Sequence, residues 1–143
     1  YYIDQNGEKQ RPYIIHRTSI GCYERTIALL IEKFAGAFPV WLSPTQVKVL
    51  SLTDRTAQNA KDVVEKMARH GIRAEADIRN EKLGYKIREA QLEKTPYIVI
   101  IGDKEAENGT LSVRRRKTGD LGVMTYDDFI KRIDGEIEDK VLD

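Results

Sequence analysis

The sequence predicts an α/β protein. It would hold a mixed, mainly parallel central sheet flanked by helices, preceded by a β-hairpin and one amphipathic helix. Three observations carry this. From residue 47 onward, apolar runs of strand length alternate with helical stripes, an order that implies right-handed crossovers and helices on both faces of a sheet. "YIVII" (residues 97–101) is apolar throughout, as in a strand covered on both faces. Asn108-Gly109 then turns the chain into "TLSVRRR", which adds an antiparallel member.

The elements follow in order. "YYID" and "PYIIH" flank Asn6-Gly7, a hairpin-turn signal, so the first residues read as a two-stranded ribbon with His16 at its end. Ile27, Leu30, Ile31 and Phe34 fall at i, i+3, i+4 and i+7 and make one helical stripe. Gly36, Pro39 and Pro44 break regular structure, which places a boundary between residues 1–38 and 39–143. "VKVLSL" (47–52) is a strand, and Asp54 is positioned to cap the helix after it. On that helix Ala60, Val63, Val64, Met67 and Ala68 share a face, and Gly71 stops it. "IRAEAD" (72–77) alternates as a half-buried strand does. The next helix spans about 83–94, with Lys82, Lys86, Glu89 and Glu93 spaced for ion pairs and Pro96 ending it. "TYDD" resembles a capping box, opening a helix with Phe129, Ile130, Ile133 and Ile137 on one side. Gly135 costs that helix about 1 kcal/mol against alanine, so its end is expected to fray.

Composition narrows the function. The chain has 143 residues, 41% hydrophobic and 33% charged, enough for one good core and too apolar for disorder. No apolar run reaches membrane-span length, and no signal-peptide pattern is present. Cys22 is the only cysteine, which excludes an internal disulfide and fits a reducing compartment. The net charge of +1 does not decide for or against nucleic acid, but "RRRK" (114–117) is a local basic cluster. The opening "YYIDQNGEK" lacks an initiator methionine and reads as a piece of a longer protein.

Most catalytic classes find no footing. There is no Walker-type loop, and "GDKEAENG" is too sparse for a dinucleotide fingerprint. Cys22, His16 and His70 form no nucleophilic set. His70, just before Gly71, is favourably placed at a helix C-terminus. A metal site needs three or four ligands, which His16 cannot supply alone. Asp54 at a strand end hints at a phospho-receiver domain, but that fold wants an acidic pair after its first strand, and "SLTD" offers one acid.

Two stretches resemble a known family. "PYIIHRTSIGCYERTIALLIEKFAGAFPVWLSP" resembles the end of the catalytic domain of bacterial-type threonyl-tRNA synthetases, across class II motif 3. "ADIRNEKLGYKIREAQLEKTPYIVIIGDKEAENGTLSVRRRKTGDLG" resembles the anticodon-binding domain of class IIa synthetases. The resemblance implies that residues 1–38 are a catalytic-domain remnant and 39–143 an anticodon-binding domain. It implies that His16 is one of three ligands to a zinc that binds threonine, the other two lying outside this chain. It makes Arg25 the motif 3 arginine that stacks on the adenine of magnesium-ATP, and Gly21 the tight turn beside the nucleotide. Cys22 stands where the family usually has serine. Asn80, Arg88, Glu105 and Arg114 fall on anticodon-reading positions, Lys94 where some members have arginine, and Arg116 beside them in the basic cluster.

These are bonding types suited to base edges: arginine to guanine, glutamate to amino groups, asparagine as donor and acceptor. The implied partners are the anticodon loop of tRNA(Thr), with G and U at its second and third positions, and threonine and ATP in an intact, homodimeric, cytoplasmic ligase. The fragment alone would be inactive and would hold no cofactor tightly. Two alternatives stand beside this reading: a free-standing anticodon-like accessory module that binds RNA, and, more remotely, a receiver-like signalling domain.

Overall fold

The computed structural model describes residues 1–142. Its strands are β1 (Tyr2–Ile3), β2 (Lys9–Gln10), β3 (Val47–Ser51), β4 (Ala74–Asp77), β5 (Tyr97–Ile101), β6 (Thr110–Arg115) and β7 (Gly119–Thr125). Its helices are α1 (Tyr23–Phe34), α2 (Ala57–Arg69), α3 (Leu83–Leu92), α4 (Asp103–Asn108) and α5 (Tyr126–Glu138). The last five strands form one mixed sheet in the order β4-β3-β5-β6-β7. β3 is parallel to β4 and β5, and β6 is antiparallel to β5 and β7.

The sheet is covered unequally. On one face Val47, Val49, Val99, Ile101, Leu111 and Val113 pack with Ala60 and Met67 of α2 and with Phe129, Ile130 and Ile133 of α5. Tyr97 meets Phe129 edge to face at 5.3 Å, and its hydroxyl donates to Glu136 Oε1 at 2.6 Å. Burial first, and then the Glu136 carboxylate, push that hydroxyl up to about 12. On the other face α3 closes a smaller core of Leu50, Ala90 and Ile98.

Several sequence expectations are corrected. Thr53 holds the N-cap position of the 3-10 turn Asp54–Thr56, and α2 starts only after it, so Asp54 is not the cap. α3 ends at Leu92, and Lys94 then takes a left-handed conformation at φ 58° that turns the chain toward Pro96. The spaced charges on α3 do not pair with one another. Glu89 binds Arg79, Glu93 binds Lys48, and Lys86 is buried. α4 and β7 were not expected from the sequence. Gly109, at φ 65°, ends α4 rather than forming a hairpin turn directly after β5. α5 continues through Gly135 to Glu138.

The ribbon is shorter than its sequence suggests. Tyr2 pairs with Gln10 and Ile3 with Lys9, and pairing goes no further. "PYIIH" joins no strand: Tyr13, Ile14 and Ile15 are 99%, 79% and 88% exposed. A strand needs a neighbour for its amides, and none reaches this stretch. α1 forms where expected yet buries no residue. It is tied to the sheet domain mainly at its end, where Lys94 Nζ donates to the Ala35 carbonyl and Phe34 meets Phe38 at 6.1 Å.

An amphipathic helix without cover has little tertiary stabilisation. In dilute solution the amides of residues 23–34 should therefore exchange orders of magnitude faster than those of Tyr97–Ile101. Equal protection in hydrogen-exchange mass spectrometry would show that the segment has found a core of its own.

Candidate nucleic-acid interface

The topology marks two places for ligand chemistry. β3 and β5 are neighbours whose following connections leave toward opposite edges of the sheet, through α2 to β4 and through α4 to β6. The crevice beyond the carboxyl ends of such strands is the usual binding position in an open α/β sheet. Here Arg55 and Asp103 bridge its two sides at 3.2 Å. The second place is the α3 face of β6 and β7. There Ser112 and Arg114 are half-buried, and Val123, opposite Ser112, is 59% exposed.

Arg114 is set on that face by register. It pairs with Ile98, which packs under α3, whereas its neighbours Val113 and Arg115 belong to the other side. A bulge between Val113 and Arg114 breaks the ladder with β7, and bulges re-aim the side chains beside them. The guanidinium of Arg114 keeps one loose partner, Asp120, at 3.8 Å.

The other expected residues do not all gather there: Arg114 pairs with Ile98 near the amino end of β5, whereas Asn80 and Glu105 lie at the carboxyl edge. Arg88 lies exposed on α3. Asn80 is exposed in the loop between β4 and α3, at the carboxyl edge. Glu105 sits on α4 at the same edge, where its Oε2 accepts from the Gly102 amide at 3.0 Å. Lys94 and Arg116 form a different group. The Arg116 guanidinium donates to the carbonyls of Lys94 at 2.6 Å, Phe38 at 3.0 Å and Ala37 at 3.3 Å. With the bond from Lys94 to Ala35, these contacts fasten residues 35–38 to the sheet domain.

His16, Gly21, Cys22 and Arg25 lie apart from this region, all exposed, in the coil before α1 and its first turn. Gly21 adopts φ 80°, which favours glycine, and its amide donates to Thr18 Oγ1 at 2.9 Å. Cys22 is the N-cap residue of α1, and its thiol donates to Glu24 Oε2 at 2.8 Å. Among the described residues no group of three histidine, cysteine or acidic side chains is placed to hold a metal ion. The residues present therefore do not fit a zinc, and His16 alone cannot hold one.

Two functional side chains escaped the sequence reading. Lys86 is 2% exposed and donates to the Ser51 carbonyl at 2.9 Å, the Ser51 hydroxyl at 3.3 Å and the Asp77 carbonyl at 3.3 Å. It ties the ends of β3 and β4 together beneath the carboxyl edge. The signal was present: Leu83, Lys86, Ile87 and Ala90 fall at i, i+3, i+4 and i+7, which puts this lysine on the apolar stripe. Arg79 is the second. Its guanidinium bridges Asp77 and Glu89. Bonding from Arg79 holds the Asp77 carboxyl below its usual range against the opposing effect of burial, and likewise lowers Glu89.

A mixed sheet closed on one face, with arginine presented on the open part of the other, is a binding domain of the α/β class. Residues 46–136 match the family described as "Anticodon binding domain", and the chain belongs to that family. It is 61% identical over 140 residues to the threonine–tRNA ligase of Clostridium perfringens (strain 13 / Type A), covering 98% of this chain and 22% of that protein. Against the threonine–tRNA ligase of Acetivibrio thermocellus it is 55% identical over 139 residues, again spanning 22% of the relative. The crystal structure of the RNA binding domain of threonyl-tRNA synthetase from Cryptosporidium parvum superposes with a TM-score of 0.75 at 32% identity, covering 78% of this chain and 28% of that one. The chain thus spans under a quarter of the length of the curated relatives it matches.

Proposed function

We propose that this chain binds the anticodon loop of tRNA(Thr), as the anticodon-reading part of a threonine–tRNA ligase whose intact form activates threonine with ATP and charges the tRNA. The observation that carries the reading is Arg114, set by the register of β6 onto an open sheet face within a domain of the anticodon-binding family. Single-stranded loops are read through splayed bases bonded on their edges, and a half-exposed guanidinium with one loose partner suits that task. Arg88 on the same side, with Asn80 and Glu105 at the carboxyl edge, would supply the remaining base contacts. Lys94 and Arg116 would add positive charge near the backbone. Neither the family match nor the relatives favour an accessory module or a receiver domain.

The test is a titration of the whole chain, at fixed salt, with a threonine anticodon stem-loop and with loops changed at the second or third anticodon base. Tighter binding to the threonine loop is expected, and equal binding to all loops would overturn the reading.

In the same proposal residues 1–38 belong to a catalytic domain of a dimeric, cytoplasmic enzyme. Arg25 and Gly21 would stand against the nucleotide, with Cys22 in the place of serine. His16 would be one of three zinc ligands, completed by residues outside this chain. One imidazole lacks chelation, so zinc should bind this chain no better than about millimolar. Stoichiometric zinc retained through dialysis by the wild type, and lost in His16→Ala, would contradict that role.

A further inference from the structure

Asn80 is an exposed side chain on a loop, and an exposed amide reads a base well only if its backbone is held still. The structure shows what holds it. Asp77, 5% exposed at the end of β4, accepts at Oδ1 from the Arg79 amide at 3.1 Å and from Arg79 Nε at 3.0 Å. Its Oδ2 accepts from Arg79 Nη2 at 2.6 Å. The same Nη2 reaches Glu89 Oε2 on α3, one residue from Arg88. On the far side of Asn80, the Glu81 amide donates to the Arg79 carbonyl at 2.9 Å. The backbone is therefore fastened on both sides of Asn80, while the Asn80 amide group itself has no hydrogen-bond partner among the described residues.

We infer that Arg79 is a positioning residue for base reading: by joining Asp77 of β4 to Glu89 of α3, it fixes the Asn80 loop relative to the helix turn that carries Arg88. The inference rests on the proposed anticodon role of this face. A direct phosphate contact by Arg79 fits less well. Its guanidinium is already committed to two carboxylates, Asp77 and Glu89. Replacement by lysine would keep the charge and lose the planar fork that reaches two carboxylates at once.

Two measurements test it. Without RNA, Arg79→Ala should speed hydrogen exchange at the Glu81 amide several-fold while Tyr97–Ile101 stay protected; an unchanged Glu81 rate would overturn the inference. With matched and mismatched stem-loops, both Arg79→Ala and Arg79→Lys should shrink the preference for the threonine loop about five- to tenfold, within the range of coupling between neighbouring side chains. In an Asn80→Ala background, adding Arg79→Ala should change that preference less than about twofold, because the residue being positioned is gone. Full restoration by lysine, or the same loss in both backgrounds, would overturn the positioning role while leaving the anticodon reading intact. A wild-type chain that discriminates between no loops would overturn the anticodon reading and this inference with it.

Discussion

Arg114→Ala should weaken binding to a threonine anticodon stem-loop and also shrink the preference for it over loops with the G or U changed. Leu111 and Val113 are locked into the core, so the alternation of β6 sends Arg114 to the opposite face, beside a bulge in the pairing with β7. Its contact with Asp120 is long, and Asp120 is 60% exposed, so the pair holds the guanidinium weakly. A guanidinium bonded bidentately to a base edge carries about 1–3 kcal/mol of discrimination, roughly five- to 150-fold. Asp120→Ala, which removes the competing carboxylate, should leave discrimination intact and tighten binding slightly. Arg116→Ala provides the contrast, because its guanidinium is engaged with the carbonyls of Lys94, Phe38 and Ala37. It should lower affinity for every loop about equally. If Arg114→Ala also lost affinity equally for every loop, Arg114 would hold phosphate and not read a base.

The largest stability effect is expected at Lys86. Its ammonium is out of water and bonded to Ser51 and Asp77, which end two parallel strands. Lys86→Ala removes a donor to the Ser51 carbonyl and leaves the Asp77 carbonyl only the Ser51 hydroxyl, at 3.4 Å, in a buried site. Bonds to a charged group contribute about 1.5–3 kcal/mol, and an orphaned buried acceptor costs a further 1–3 kcal/mol or so. A loss of about 2.5–6 kcal/mol follows, or roughly 5–25 °C in the midpoint of thermal unfolding for a domain of this size. Lys86→Met, which keeps most of the buried methylene volume, should lose less. Denaturant midpoints of the two variants measure it, and a wild-type midpoint for Lys86→Ala would show that the strand ends need no tether.

The sequence made some elements plain and hid others for physical reasons. β5 and α5 carry their own periodicity, one as an unbroken apolar run and the other as a capped stripe, and both fold where that pattern says. α4 is six residues, "DKEAEN", too short and polar to show a stripe. β7 contains Gly119 and Gly122, which blur the alternation of Leu121 and Val123, and its strand character comes from pairing with β6. "PYIIH" failed in the opposite sense, because its pattern is that of a strand and no partner is there to accept it. Lys86 was misread because charges three and four apart on a helix look like surface ion pairs, and only its coincidence with the apolar stripe told otherwise. Around the candidate interface the residue types alone were compatible with ordinary surface charge. The resemblance to a known family singled out Asn80, Arg88, Glu105 and Arg114, and no spacing could have shown that the clasp between Asp77 and Glu89 runs through Arg79.

The two outer strands of the sheet bear on solubility. An exposed edge is a template for another chain, and aggregation begins where the template is long, flat and apolar. β4 is only four residues long, with Glu75 engaged by Lys48 and Thr45. β7 is longer, but Gly119 at φ 79° and Gly122 at φ 81°, with the bulge facing them, interrupt the row of amides a newcomer would need. Neither edge invites growth. The apolar stretch at residues 13–15, exposed and uncovered, offers what both edges withhold. Clumping of this chain on heating should start there, and a charged residue in place of Ile14 should delay it without altering the melting of the sheet.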